Sequence, residues 1–102
     1  MIYHVTADFR TNTAAAFLEK LTDGSIADQK PDGSEIVASM DRAVVNSKGA
    51  VEWSELCYCD TPLAHERATV LDHHFKNIRA DPIESNEKYQ GRPFMEYLRE
   101  LA

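Results

Sequence analysis

Residues 35–59 read EIVASMDRAVVNSKGAVEWSELCYC, and the fold assignment depends on this stretch. Both of its ends are rich in β-branched or aromatic residues, which are enriched in β-strands. The loop between the ends, Asn46 to Gly49, contains a glycine that can adopt the positive φ of a short hairpin turn. The stretch therefore predicts a β-hairpin with arms at residues 35–45 and 51–59.

The side chains of the two arms are expected to alternate between the faces of the sheet. In the first arm, Ile36, Ala38 and Met40 share one face. In the second arm, Glu55 falls on the same face as the apolar Trp53. Because a carboxylate interrupts this apolar row, a β-bulge near Glu55 is an alternative that would change which face each residue takes.

The N-terminal segment, residues 2–9, also has a period of two, which predicts a strand with one buried face. Its apolar side holds Tyr3, Val5, Ala7 and Phe9, and its polar side carries His4, Thr6 and Asp8. The next segment has apolar residues at i, i+3, i+4 and i+7. This spacing predicts a helix over residues 13–22, which Asp23-Gly24 ends.

Thr61-Pro62 has the pattern of a helix start, with threonine as the N-cap and proline at the first helical position. We expect this helix over residues 62–77, with Leu71 and Phe75 in its buried stripe. The polar residues that we expect in water are His65, Glu66, Thr69, Asp72, His73 and Lys76.

The chain after this helix predicts one more strand and one more helix. Residues 78–84 are expected to form a short strand, which Pro82 confines to a sheet edge because proline donates no ladder hydrogen bond. Gly91-Arg-Pro93 then opens a last helix, in which apolar residues again repeat at i, i+3, i+4 and i+7.

The predicted element order is β-α-β-β-α-β with an additional C-terminal helix, in a single α+β domain over residues 1–102. That order is typical of the ferredoxin-like plait, an antiparallel sheet with two helices on one face. In the plait the first strand lies between the third and the fourth. The alternative is a two-layer α+β domain with three strands, in which residues 78–84 are a loop. The residues resemble no particular family, so no family's site is carried over.

The chain is acidic, with 17 Asp and Glu against 11 Lys and Arg and a formal net charge of −6. The basic residues are scattered, which argues against nucleic-acid binding because such proteins present a basic patch. No run of about 18 apolar residues is present, so we expect no membrane span. A signal peptide is not visible at the N-terminus. Two cysteines expected as reduced thiols then indicate a cytoplasmic protein.

Cys57 and Cys59 precede His65, His73 and His74, and both residue types are zinc ligands. The spacing matches no standard zinc pattern, and His65 and His73 would lie two helical turns apart, about 12 Å. We therefore expect no structural zinc and no cofactor, with the cysteines as small buried side chains. An alternative is nucleophilic catalysis by Cys59, whose thiolate the start of the following helix could stabilise.

The polar side of the predicted sheet is the main candidate site. His4 is the candidate general acid or base near neutral pH, and Asp8 or Asp41 would orient it. The candidate ligand-binding residues on the same predicted face are Ser39, Ser54 and Tyr58. Three interpretations stay open: a solvated sheet face, a homodimer pocket without chemistry, and a homodimer pocket with chemistry.

These patterns favour a small cytoplasmic α+β binding or interaction domain that forms a homodimer and takes a small-molecule ligand. The alternative function is a small enzyme of the dimeric α/β-barrel type, with His4 as general acid or base on a small organic molecule. In either case we expect the ligand site on the strand face of His4 and Asp8, not at the helix histidines.

Overall fold

Five strands and four helices make up the protein in the computed structural model, which describes residues 1–102. The strands are β1 (Ile2–Phe9), β2 (Val44–Val45), β3 (Val51–Leu56), β4 (Phe75–Ile83) and β5 (Arg92–Pro93). The helices are α1 (Ala14–Thr22), α2 (Gly33–Arg42), α3 (residues 64–74) and α4 (Phe94–Leu101). The sheet order is β4-β1-β3-β2-β5 and all neighbouring strands are antiparallel, so the protein is of the α+β class.

Strand β1 lies between β3 and β4, as the sequence predicts for the first strand. Tyr3, Val5 and Ala7 are buried, whereas His4 and Thr6 on the opposite face are half-buried. The predicted alternation of β1 is therefore confirmed, and its polar row lies in the interior of the sheet rather than at an edge.

The first arm of the predicted hairpin is wrong, because residues 33–42 form helix α2 and only Val44–Val45 form a strand. The buried side chains here recur at the i, i+3, i+4 and i+7 spacing of a helix, and they are Ile36, Ser39, Met40 and Ala43. Ile36 and Met40 also fit a strand, because residues four apart share a face both in a strand, with its period of two, and in a helix, with its period of 3.6. In a strand, however, Ser39 would point away from Ile36, and the two are buried together.

The second arm of the hairpin is present as β3, and the turn before it has the predicted position. Gly49 takes a φ of 82°, the left-handed conformation that this loop needs. Strand β3 pairs with β1 without a register shift. No bulge therefore occurs at Glu55, and its side chain points into the core beside Trp53.

Helix α3 is shorter than the predicted range of 62–77. Leu63 takes a left-handed φ of 60°, so Thr61-Pro62 lies before the helix and does not cap it. At the other end the chain passes directly into β4 at Phe75. Leu71 and Phe75 are buried as predicted, although Phe75 belongs to the strand.

Strand β4 lies at the sheet edge, where Pro82 requires it, and it begins earlier than the predicted 78–84. Helix α4 begins at Phe94, later than predicted, because the residues before it pair with β2 as strand β5. A Cβ on Gly91 would lie 2.3 Å from the carbonyl oxygen of Val45, so only glycine fits at this crossing.

One apolar core lies between the inner face of the sheet and the helices. Its aromatic centre has ring centroids between 5.2 and 6.3 Å apart and consists of Phe9, Phe17, Phe75 and Phe94. No helix has the length and apolar content needed to cross a membrane. The outer side of β1 carries no fully buried residue, and the first candidate site lies there.

Candidate functional site

The outer face of the sheet places His4 next to Glu52 of strand β3. Nε2 of His4 and Oε2 of Glu52 are 2.6 Å apart, and both side chains are largely shielded from solvent. Nδ2 of Asn46 donates to Oε1 of Glu52 at 3.2 Å, so both carboxylate oxygens have partners. The group that orients His4 is therefore Glu52.

Residues 84–91, which we call the outer loop, cross this face of the sheet. The ring of Tyr89 stacks on His4 with centroids 4.6 Å apart and an angle of 22° between the planes. Oγ of Ser54 donates to Oδ1 of Asn86 at 3.0 Å. Burial raises the pKa of the Tyr89 hydroxyl, and its hydrogen bond to Glu87 adds to the shift. Tyr89 is therefore neutral, and it covers His4.

A groove of about 1050 Å³ lies beside this pair, and we call it the outer-face groove. It is lined by strand residues such as Thr6 and Glu52, by the β2–β3 turn and by the outer loop. Three basic side chains border it, and they are Lys48, Arg79 and Lys88. All three are exposed. The groove thus carries local positive charge on an acidic protein.

Of the predicted site residues on strands, Ser54 and His4 occupy directly opposite positions on β3 and β1. Asp8 lies four residues further along β1, about 13 Å away. It accepts a hydrogen bond from Nδ2 of Asn77 at 2.8 Å. Asp8 therefore has its own partner and does not orient His4 in this structure.

The other three predicted site residues lie apart from His4. Ser39 and Asp41 belong to helix α2, so their predicted position on a sheet face is wrong. Ser39 is buried and accepts a hydrogen bond from Arg42 at 3.2 Å, whereas Asp41 is exposed. Tyr58 follows the end of β3 and is 85% exposed. Of the other five predicted site residues, only Ser54 lies beside His4.

A second polar region, which we call the cysteine cavity, lies between the end of β3 and the starts of α2 and α3. Its volume is about 320 Å³, and its polar lining consists of Asp32, Glu35, Cys57, Cys59, His65 and Glu66. The ligand atoms of Cys57, Cys59 and Glu66 lie within 4.8 Å of one another, and so do those of Asp32, His65 and Glu66. Glu66 is common to both groups, so its predicted place in water is wrong.

Two carboxylates are buried in this region, Glu66 in the lining of the cysteine cavity and Glu55 in the core nearby. Glu66 is 1% exposed, its Oε1 accepts a weak hydrogen bond from Sγ of Cys59 at 3.5 Å, and its Oε2 has no partner. Glu55 is fully buried; its Oε1 accepts a hydrogen bond from Nε1 of Trp53 at 2.8 Å, and its Oε2 also has no partner. Burial of a carboxylate without a cation or a full set of hydrogen bonds is unfavourable.

The pKa values of these groups follow from their burial. Burial raises the pKa of Glu55 to about 8, and the negative charge of Glu66 contributes. Burial likewise raises the pKa of Glu66, and it raises the pKa of the Cys57 thiol to about 12. Burial is the largest single influence on Asp32 and opposes its ionisation, but hydrogen bonds with His65, Glu66 and Gln29 together outweigh it and lower the pKa. Burial therefore favours the protonated forms of Glu55, Glu66 and Cys57, whereas Asp32 favours its ionised form.

Sequence reasoning did not single out Glu52, Tyr89, Asp32 or Glu66. Glu52 is the one that a strand pattern could have found, because it shares the polar face of β3 and pairs with Thr6 on β1. The other three reach their sites through loops and through the start of α3. No local periodicity reports such positions, because they depend on the path of the chain.

No family model, no curated protein and no solved structure matches this chain. The fold and its sites define a small α+β domain with one polar groove on its open sheet face and one cavity lined by thiols and carboxylates. These two sites are the basis for the function proposed below.

Proposed function

We propose that this protein is a small binding domain that takes an anionic small molecule, carrying carboxylate or phosphate groups, in the outer-face groove. The observation that carries the proposal is the position of Lys48, Arg79 and Lys88 around the groove in a chain of net charge −6. None of the three forms an ion pair within the protein. Each is therefore available for charge-assisted hydrogen bonds to an anion.

The wall of the groove supports binding because it is already ordered. Tyr89 is held against His4, and Asn86 is held by Ser54, so the outer loop is attached to the sheet at two points. His4 is itself held by Glu52. A site that is ordered before the ligand arrives avoids the entropy cost of ordering it during binding.

The proposal includes the ferredoxin-like plait as the architecture and a homodimer in the cytoplasm as the state of the protein. The support for the plait is the order β4-β1-β3-β2, which a split βαβ arrangement has, with β5 added at one edge. In the homodimer the outer faces of two copies meet and enclose the groove. Cys57 and Cys59 are both free thiols, which fits a reducing compartment.

The second candidate function is a small enzyme of the dimeric α/β-barrel type, with His4 as general acid or base on a small organic molecule. The observation that favours it is the 2.6 Å contact between His4 and Glu52. A carboxylate in this position fixes the orientation of the ring. Tyr89 would have to leave the His4 ring for a substrate to reach it.

The test is calorimetric titration with inorganic phosphate, pyrophosphate and citrate at constant ionic strength. We expect one site per chain, and we expect Arg79→Ala and Lys88→Ala each to weaken binding about tenfold, a typical loss for one charged contact. Lys20→Ala, on the exposed side of α1, is the matched control and should bind like the wild type. Equal weakening in all three variants would show unspecific attraction and refute the site.

The oligomeric state is tested separately by light scattering after size exclusion. A dimer that persists at micromolar concentration supports the paired outer faces. A strict monomer refutes the enclosed groove and leaves a binding site that is open to solvent.

A further inference from the structure

The atoms at the cysteine cavity are arranged as metal ligands are. The Sγ atoms of Cys57 and Cys59 and a carboxylate oxygen of Glu66 lie within 4.8 Å of one another. Around a tetrahedral zinc ion, bonds of about 2.3 Å to sulfur and about 2.0–2.2 Å to oxygen place the ligand atoms roughly 3.5–3.8 Å apart. Side-chain rotations that bring these atoms about 1 Å closer would therefore complete three bonds to one ion.

An independent observation indicates that a cation belongs here. Glu66 is 1% exposed, yet its Oε2 has no hydrogen-bond partner. Buried polar groups in folded proteins are paired in the great majority of cases, so an unpaired carboxylate oxygen needs an explanation. A cation bound beside the two thiols would give Glu66 its missing partner and would neutralise part of the charge of the cavity.

The backbone around the cysteines fits the same function. The amide of Cys59 donates to Sγ of Cys57 at 3.2 Å. Burial keeps this thiol protonated in the metal-free protein, so the hydrogen bond would stabilise charge on the sulfur only after a metal ion has displaced the proton. The ligand atoms of Asp32 and His65, which are held together at 2.5 Å, also lie within 4.8 Å of the Glu66 carboxylate.

We propose that Cys57, Cys59 and Glu66 bind one divalent metal ion of the zinc class, with a fourth coordination position open to the cysteine cavity. Both S–H bonds break, two metal–sulfur bonds form, and the two thiol protons pass to solvent, together with the carboxyl proton of Glu66 where that group is protonated. The carboxylate of Glu66 supplies the third bond, and no electrons are transferred. Three protein ligands and one open position are the arrangement of zinc sites that also bind water or a substrate.

From the sequence we expected no zinc, because the spacing of the cysteines and histidines matches no standard pattern and His65 and His73 lie two helical turns apart. Neither is a ligand in this proposal, because Glu66 supplies the third bond from the first turn of α3. The spacing of the three ligands is Cys-x-Cys-x6-Glu. No standard zinc pattern has this spacing, so the sequence alone does not indicate the site.

The experiment uses the full chain, reduced with a phosphine and freed of metal, and titrates it with Co²⁺. We expect one Co²⁺ per chain with the near-ultraviolet absorption of a thiolate–cobalt bond, and we expect Zn²⁺ to displace it. Glu66→Gln should weaken Co²⁺ binding at least tenfold. Glu19→Gln, an exposed carboxylate on α1, and His73→Ala, an exposed histidine on α3, should bind like the wild type.

The cysteines are tested by Cys59→Ser, since Cys59 is only half-buried and its replacement should leave the fold intact by circular dichroism. We expect the thiolate–cobalt absorption to fall by at least half, with weaker binding. The proposal is overturned if the wild type shows no such absorption at a tenfold excess of Co²⁺. It is equally overturned if Glu66→Gln, or a folded Cys59→Ser, binds Co²⁺ as tightly as the wild type.

Discussion

The outer-face groove and the cysteine cavity both contain ionisable side chains, but these side chains are paired or exposed to water at the groove and partly unpaired at the cavity. On the outer face, His4 and Glu52 are paired at 2.6 Å, and the bordering cations are exposed to water. At the cavity, Glu66 is buried, as is Glu55 in the core nearby, and each has an oxygen without a hydrogen-bond partner. The charged groups of the outer face are therefore stabilised without a ligand, whereas burial of these two carboxylates is unfavourable unless a proton or a cation neutralises them.

Because of this difference, a ligand is expected to affect the stability of the protein differently at each site. An anion at the outer-face groove replaces water around cations that are already solvated, so it should change the stability of the protein only by mass action. A cation at the cysteine cavity also removes an unfavourable burial of charge. The two sites can therefore be disturbed one at a time, and the following changes do so in order of decreasing effect.

The largest effect is expected from Leu71→Ala, which removes packing beneath the helix that carries Glu66. Leu71 is fully buried on α3, and truncation of such a side chain costs on the order of 2–5 kcal/mol. Urea unfolding followed by circular dichroism measures the loss. We expect Co²⁺ binding to fail at lower urea than anion binding does. A loss under about 0.5 kcal/mol would mean that the buried face of α3 is assigned incorrectly.

The second effect is a dependence on pH that comes from Glu55. Its pKa is about 8 in the folded protein, above the ordinary 4.5, because the carboxyl is buried. Between these values the unfolded chain has lost the proton that the folded chain keeps, so stability falls as the pH rises through this window and is constant above it. At about 1.36 kcal/mol per pKa unit, the loss is at most roughly 5 kcal/mol in metal-free protein.

Glu55→Gln should remove this dependence, because glutamine does not titrate. The stability difference between variant and wild type is expected to grow from pH 5 to pH 8. The only tryptophan, Trp53, donates to Glu55 and reports unfolding by its fluorescence. Glu19→Gln on the exposed side of α1 is the control. A difference that is the same at every pH would contradict the raised pKa of Glu55.

Two glycines allow the sites to be disturbed separately. A Cβ on Gly33 would lie 1.9 Å from the carbonyl oxygen of Ile26, next to the cysteine cavity. A Cβ on Gly91, at the end of the outer loop, would lie 2.3 Å from the carbonyl oxygen of Val45. Each substitution by alanine should cost about 1–3 kcal/mol, as overpacking does.

The measurements are Co²⁺ titration and phosphate titration on both variants. Gly33→Ala is expected to weaken Co²⁺ binding and to leave anion binding unchanged, and Gly91→Ala is expected to do the reverse. If either variant loses both kinds of binding while it stays folded, the two sites are coupled and do not bind their ligands independently.

The smallest effect on stability is expected from His4→Ala, about 1 kcal/mol, which is the usual contribution of one hydrogen bond. Without His4, Tyr89 loses its stacking partner, so anion binding or dimerisation should change while circular dichroism does not. His73→Ala should alter neither, because its side chain is exposed. A silent His4→Ala together with an active His73→Ala would place the ligand elsewhere.

The sequence by itself determined the type of those helices and strands whose apolar residues repeat with one clear period. The alternation of β1, the apolar stripe of α1 and the edge position that Pro82 imposes on β4 were all predictable. In each case burial follows the local repeat, because one face packs on the core and the other does not. His4 could thus be assigned to the correct strand face, with Glu52 and Ser54 nearby on β3.

The tertiary structure alone decided the assignment of residues 33–42 and the composition of both sites. Ile36 and Met40 satisfy the periods of a strand and of a helix equally, and only packing against the sheet selects the helix. Tyr89 meets His4, and Asp32 meets His65, across 85 and 33 residues of chain. Such contacts depend on where loops return to the sheet, and the pattern of side chains along one segment does not predict the path of a loop.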